Sequence, residues 1–199
     1  MIRAVVLDLD GVIRRFDTEI GGEIERRHTL DLGLLGREAF AEPDLAEATT
    51  GRITRAEWIR RIGRRIGNPA AADDWGSQQA RVDWELLDLV GDLRAAGLLC
   101  AVLTNGTDTI PQELASLGVS ERVDRVFNSA SIGFIKPDQR VFEHVIADLG
   151  LPPSEVFFTD DSPRNLVAAQ SLGMHTHHYR DLPGLRRALL AAGVTRGVL

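Results

Sequence analysis

An apolar run that breaks off into acid, Val5-Val6-Leu7-Asp8-Leu9-Asp10-Gly11-Val12, constrains this chain more than any other stretch. Continuous apolar residues fit a strand buried on both faces of a parallel sheet, and two carboxylates with a glycine fit the point where such a strand turns out into solvent. In open parallel α/β sheets ligands bind at the carboxyl ends of the strands, so Asp8 and Asp10 stand where chemistry is done. The chain is leaving the strand there, which lets both side chains converge on one small volume. Their like charges oppose this unless a cation or a shared proton is present.

The chain beyond this run alternates. Residues 98–103 form a second apolar run tipped by Thr104-Asn105-Gly106, and residues 125–127 a short third one. Residues 155–159 form a fourth, tipped by Asp160-Asp161-Ser162, and residues 174–178 a fifth. Helices are expected over 82–96, 110–117, 137–149, 166–172 and 185–192, the first four stopped by Gly97, Gly118, Gly150 and Gly173, with Pro137 in the first turn of the third. Strands alternating with helices predict an α/β fold, a Rossmann-like parallel sheet with helices on both faces.

Between the first two strands the pattern turns helical, broken at Gly21-Gly22, Pro43, Gly51 and Asn68-Pro69. Thr54 with Glu57 three residues later is a capping box, and Trp58, Ile59, Ile62 and Ile66 follow at helical spacing. Residues 14–81 are therefore expected to form a small helical domain without strands, and residues 1–13 with 82–199 an α/β core domain. At 199 residues and 44% hydrophobic the chain is long enough to bury both.

Three strand ends thus bring similar punctuation to one edge of the sheet: Asp8 and Asp10, Thr104-Asn105-Gly106, and Asp160-Asp161, with Lys136 opening a helix between the last two. This set suits phosphoryl transfer. A carboxylate attacking an anionic phosphate needs its charge offset, and a divalent cation held by hard oxygens, Mg2+ in particular, does so while polarising the phosphoryl group. The Thr104 hydroxyl and the amides of the 104–106 turn can donate to the equatorial oxygens, and Lys136 adds a point positive charge. No G-x-S-x-G elbow is present and Cys100 lies within an apolar run, so neither serine nor cysteine is indicated as nucleophile.

D-L-D-G-V, L-T-N-G, K-P and F-T-D-D-S-P-R-N, in that order over residues 8–165, resemble the four motifs of the haloacid dehalogenase superfamily. The helical insertion resembles the cap domain of the branch that carries it directly after the first strand. The resemblance implies a Mg2+-dependent phosphatase cleaving a small phosphomonoester, a sugar phosphate or similar metabolite, through an aspartyl-phosphate. By the same resemblance Asp8 is the nucleophile and a metal ligand. Asp10 protonates the leaving oxygen and then activates water, and its backbone carbonyl meets the metal. Thr104, Asn105 and Gly106 hold phosphate, and Lys136 stabilises both phosphate and nucleophile. Asp161 ligates the metal with Asp160 beside it, directly or through water, and Asn165 steadies the site. Similar members that cleave carbon–halogen bonds lack an acid at the place of Asp10, so its presence implies a phosphatase. Two rivals stand: a phosphomutase, and a non-catalytic phospho-acceptor or regulatory module using the same Asp, Thr and Lys.

Plainer readings exist for each residue. Asp8 and Asp10 can be a turn pair, Thr104 a helix cap, and Asp160, Asp161 or Ser162 the cap of the helix that follows. Lys136 alone reads as a surface lysine. His175 and His177 share a strand face with His178 adjacent, but no fourth ligand has zinc spacing. Arg14-Arg15 at the mouth is either an anion contact or a solvated hinge. Trp58 reads as core, His28 and His144 as helix surface, and the arginines of 55–65 as a wet face or a subunit contact. A formal charge of -6 argues against nucleic-acid binding. The lone Cys100 reads as a small hydrophobe in a reducing compartment. With no signal-like start and no apolar run of membrane-spanning length, a cytoplasmic monomer or homodimer with no membrane partner is expected.

Overall fold

The apolar run at residues 5–7 becomes the central strand of a five-stranded parallel sheet in the computed structural model, which describes residues 1–194. In chain order the elements are β1 (Ala4–Leu7), β2 (Arg14–Arg15), α1 (Thr18–Arg27), α2 (Leu34–Ala39), α3 (Asp44–Thr49), α4 (Arg55–Arg65), α5 (Pro69–Gly76) and β3 (Arg81–Val82). There follow α6 (Trp84–Ala95), β4 (Leu99–Thr104), α7 (Ile110–Ser116), β5 (Arg125–Asn128), α8 (Ser129–Ile132), α9 (Gln139–Leu149), β6 (Val156–Asp160), α10 (Pro163–Ser171), β7 (His175–His178) and α11 (Leu182–Ala191). The strand order is β5-β4-β1-β6-β7, with Val5 opposite Cys100 on one side and Phe157 on the other.

All four residues of β1 are buried, and alternation divides them between two cores. Val5 and Leu7 meet Leu86, Leu87 and Val90 of α6, Leu114 of α7 and Leu185 and Leu189 of α11. Ala4 and Val6 meet Val141, Phe142 and Val145 of α9 and Ala169 of α10, where the rings of Phe142 and Phe158 pack edge-on at 5.2 Å. Helices cover both faces, as the alternating pattern requires.

Helices α1 to α5 close around a third core of Ile24, Leu35, Ala48, Trp58, Ile62 and Ala72. Trp58 is a core residue whose indole donates to the Ala39 carbonyl at 3.2 Å and packs edge-on against Trp75. The arginines of α4 divide by face. Arg60 and Arg64 are exposed and pair with Glu57, whereas Arg61 also donates to Asp44 and Glu47, and Arg65 to Glu38 and Asp44, so the expected wet face carries an ion network.

Several expectations are corrected. Residues 14–81 do contain strand: β2 pairs antiparallel with β3, Arg14 opposite Val82, a two-residue ribbon at the root of the helical segment and too short to show a period. Val82 therefore belongs to that ribbon, and α6 starts at Trp84, where Asp83 accepts the Leu86 amide at 3.0 Å. Pro137 precedes α9 instead of opening it, because Asp138 takes the cap and accepts from the Arg140 amide. Helices α10 and α11 begin three residues earlier than their apolar residues suggest, with Pro163 and Pro183 in their first turns. The turn α8 has no sequence signal.

Candidate active site

The carboxyl ends of β1, β4 and β6 lie side by side, and one ammonium joins two of them. Lys136 is 3% exposed, and its Nζ donates to Asp8 Oδ1 at 2.6 Å, to Asp160 Oδ2 at 2.7 Å and to the Leu103 carbonyl at 3.0 Å. All three protons of the ammonium are used, so Lys136 is not the solvated surface lysine its isolated position permits. Asp8 Oδ1 also accepts the Leu9 amide at 2.7 Å, so the hydrogen bonds found for this carboxylate both fall on one oxygen. Burial pushes the Asp8 carboxyl up to about 7 against the pull of Lys136, and the Asp160 charge adds to the rise.

Asp160 is fully buried and saturated. Its Oδ1 accepts the Ser162 amide at 2.8 Å and the Asn165 side chain at 3.0 Å, while Oδ2 takes Lys136 and a second contact from Asn165. Asn165 thus steadies Asp160, and Asp160 fixes the backbone of Ser162 just before this helix, whose start has no side-chain cap bond. Asp161 is exposed and its backbone carbonyl lies 3.0 Å from His178 Nε2. Burial, then the charge of Asp160, raise its carboxyl pKa.

Asp8, Asp160 and Asp161 form the group that fits a cation: one ligand oxygen from each lies within 4.8 Å of the others. Lys136 pairs with two of the three carboxylates, so the ionised set keeps an excess of two negative charges on hard oxygens, the donor type that suits Mg2+. Gly11 makes room for it. Its φ is +85°, and a Cβ there would lie 2.1 Å from Asp161 Oδ2, so only glycine lets that carboxylate approach the β1 end. The three histidines of β7 form no comparable group among the described residues; His177 Nδ1 pairs instead with the Thr159 hydroxyl at 3.0 Å.

Asp10 stands apart from this cluster, its side chain about half exposed at 46%. Both of its oxygens are held by Arg14, from Nε at 2.6 Å and Nη2 at 3.3 Å. Arg14 is 4% exposed and also donates to Glu113 at 2.7 Å, which excludes the solvated-hinge reading of this residue. Burial opposes ionisation of Glu113, but hydrogen bonds from Thr109 and Arg14 hold it below the usual carboxylate range. Glu113 gave no signal in the sequence, since it meets Arg14 across 99 positions on an otherwise ordinary helix. Arg14 is legible in the sequence as half of a basic pair at the mouth of the site, but its carboxylate partners are not.

The loop after β4 completes the arrangement. Thr104 is buried at the strand end beside Asn128 of β5. The Asn105 side chain donates to the Lys136 carbonyl at 2.9 Å and accepts the Lys136 amide at 2.8 Å, which clamps the lysine in place and leaves this turn its backbone amides for an anion. Gly106 is packed against Ile110, where a Cβ would fall 2.3 Å from Cγ1.

The helical segment is seated on this edge. The Ser129 hydroxyl donates to the Thr49 carbonyl at 2.6 Å, the Arg55 amide donates to Asp108 Oδ1 at 2.7 Å, and Gly51 lies against the Ala130 carbonyl. No helix among the described residues is long and apolar enough to cross a membrane.

Known proteins share this architecture. The model of the haloacid dehalogenase-like hydrolases matches residues 2–173. The chain is 25% identical over 185 residues to Sesquiterpene phosphatase astK of Aspergillus oryzae, covering 90% of each chain. It is 26% identical over 217 residues to Bifunctional epoxide hydrolase 2 of Rattus norvegicus, with 94% of this chain matching but only 38% of that longer protein. Among solved structures, a haloacid dehalogenase family enzyme from Bacteroides thetaiotaomicron in complex with magnesium and inorganic phosphate superimposes with a TM-score of 0.76, at 25% identity, over 93% of this chain and 99% of that one.

Proposed function

We propose that this chain, which belongs to the haloacid dehalogenase-like hydrolase family, is a Mg2+-dependent phosphatase that cleaves a small phosphomonoester, a sugar phosphate or similar metabolite, through an aspartyl-phosphate on Asp8. The observation that carries the reading is the Lys136 ammonium shared between Asp8 and Asp160, with Asp161 beside them. Lysine on Oδ1 orients the Asp8 carboxylate, and the other oxygen is the one available to attack phosphorus.

In the first step a bond forms between Asp8 and phosphorus, the ester P–O bond breaks, and the leaving oxygen takes a proton from Asp10. In the second, ionised Asp10 removes a proton from water as the water oxygen attacks phosphorus. The Asp8–phosphorus bond then breaks, releasing inorganic phosphate and the free carboxylate. Lys136 offsets charge on the phosphoryl oxygens and on Asp8 in both steps, and the amides of the 104–106 turn donate to the same oxygens. Asp160, saturated by protein donors, fixes Lys136; Asp161 and Asp8, with the Asp10 carbonyl, would hold Mg2+. Bound Mg2+ neutralises excess charge and polarises the phosphoryl group. Helices α1 to α5 serve as a cap that excludes bulk water and selects the substrate. Two comparisons support this chemistry: a relative named a phosphatase, and a similar structure holding magnesium and phosphate.

The test is release of inorganic phosphate from an aryl phosphate and from a panel of sugar and nucleotide monophosphates, with and without Mg2+. Turnover that needs Mg2+ and is abolished in Asp8→Asn is expected. Turnover that survives Asp8→Asn, or an inert wild type, overturns the proposal.

A further inference from the structure

Arg14 and Lys136 are the two buried cations among the described residues, and the reaction above gives Arg14 no step. A buried guanidinium is costly unless its donors are met. Those of Arg14 are met by two carboxylates from distant parts of the chain: both oxygens of Asp10, and Oε2 of Glu113 on α7. The remaining oxygen of Glu113, Oε1, accepts from the Thr109 hydroxyl at 2.6 Å and lies 3.6 Å from Nε of Arg55.

Arg55 belongs to the helical segment. It is the first residue of α4, its amide is latched to Asp108 of the core, and its guanidinium donates to the Gly76 carbonyl at the end of α5. A continuous chain of charge-assisted contacts therefore runs from the cap to the site: Arg55, Glu113, Arg14, Asp10. Arg14 is itself fixed at the root of the cap. It lies in β2, paired to β3, and its guanidinium rests 5.2 Å over the Phe16 ring.

From this geometry we propose that Arg14 and Glu113 are positioning residues for Asp10, and that through Arg55 they tie the orientation of Asp10 to the seating of the cap. The proposal rests on the phosphatase reading, in which Asp10 handles the proton. Asp10 is half exposed and, among the described residues, its side-chain hydrogen bonds come from Arg14 alone, so losing the two-pronged grip frees it to swing. Lysine cannot replace that grip, because one ammonium cannot hold both oxygens in a plane while also reaching Glu113. With the cap unseated, Arg55 leaves Glu113, whose carboxylate then rebalances toward Arg14 and Thr109.

The experiment uses the full chain as wild type, Arg14→Lys, Glu113→Gln, Arg55→Ala and the double variant Glu113→Gln/Arg55→Ala. Two readouts run in parallel: steady-state hydrolysis of an aryl phosphate with Mg2+, and amide hydrogen exchange over residues 10–16 without substrate. Arg14→Lys and Glu113→Gln are expected to lower kcat by roughly 10- to 100-fold with KM within about twofold, the signature of a misplaced group and not of lost binding. Arg55→Ala should speed exchange in 10–16 by roughly threefold or more, although the hydrogen bonds and ion pairs of Arg55 run to Asp108, Gly76 and Glu113, and should add nothing in kcat to Glu113→Gln. Unchanged exchange in 10–16 on Arg55→Ala, or fully additive losses in the double variant, overturns the coupling. An inert wild type sinks the phosphatase reading instead, while the exchange readout still decides whether Arg55 and the Asp10 loop are linked.

Discussion

Replacing Asp8 by asparagine should make the metal-free protein more stable while destroying its activity. The Asp8 carboxyl sits at about 7 instead of 3.8, chiefly because it is buried, so holding it ionised in the folded protein costs free energy. A rise from 3.8 to about 7, at about 1.36 kcal/mol per pK unit, corresponds to a destabilisation on the order of a few kcal/mol once the group is ionised. The direction follows from proton binding. Between pH 3.8 and 7 the folded state holds this proton more tightly than the unfolded state, so its contribution is complete below 3.8 and is lost as pH rises through 7. Asparagine removes the charge yet keeps an Oδ1, which is the atom that accepts from Leu9 and Lys136. In EDTA at pH 8, Asp8→Asn should therefore melt roughly 10 °C above wild type, at ~2–4 °C per kcal/mol for a chain of this size. The gap should shrink steadily toward pH 5. Mg2+ should also narrow it, because the cation binds and stabilises the protein that retains the carboxylate. Differential scanning calorimetry over pH 5–8 reads all three trends. A variant that melts at or below wild type in EDTA at pH 8, or a gap that does not depend on pH, refutes the reasoning.

Three further perturbations test the same site from other sides. Lys136→Met leaves Asp8 and Asp160 buried without their common partner and should cost about 3–5 kcal/mol by urea denaturation at pH 8, less at pH 5, where Asp8 takes up a proton. Gly11→Ala places a methyl group against the Asp161 carboxylate at a φ of +85°, and should weaken Mg2+ binding, read by titration calorimetry, by roughly tenfold or more. Gly51→Ala pushes the 49–55 loop off the Ala130 carbonyl at a φ of +73° and should destabilise the chain by about 1–3 kcal/mol while raising KM for the aryl phosphate. Full Mg2+ affinity in the second variant, or an unaltered KM in the third, contradicts the geometry argued for that loop.

What was legible in the sequence is what periodicity and strand-end chemistry encode. All five strands of the sheet and the gathering of Asp8, Thr104, Lys136, Asp160 and Asp161 on one edge follow from buried runs that stop at polar residues, because a parallel sheet has one edge where such ends can meet. The β2–β3 ribbon was not legible, since two residues carry no alternation and the pairing spans the whole helical segment. The helix starts at Pro163, Leu182 and Trp84 differ from those that apolar spacing suggests, because proline in the first turn and the caps at Asp181 and Asp83, not apolar residues, decide where these helices begin. The Asp10–Arg14–Glu113 chain was out of reach for a different reason. Long-range ion pairs depend on how helices are docked, and nothing local to Glu113 marks it off from any other glutamate on a solvated helix face.

The placement of β1 at the centre of the sheet also governs how the chain can fold as it is made. Ala4 needs both Leu99 and Val156 beside it, partners synthesised about 95 and about 152 residues later. At ~5–20 residues per second a ribosome takes roughly 10–30 s to supply the second of them. Until β4 is made Val5, Val6 and Leu7 have no strand to pair with, and until β6 is made one side of β1 stays open, while α1 to α5, which share a core among themselves, can already collapse around Trp58 and Ile62. The helices of this segment can therefore fold first in the nascent chain, whereas the edge that gathers Asp8, Asp160 and Asp161 cannot exist before β6 is made. An incomplete chain ending before residue 156 leaves the apolar β1 paired to β4 on one side only, an open strand edge of the kind that invites association with other chains.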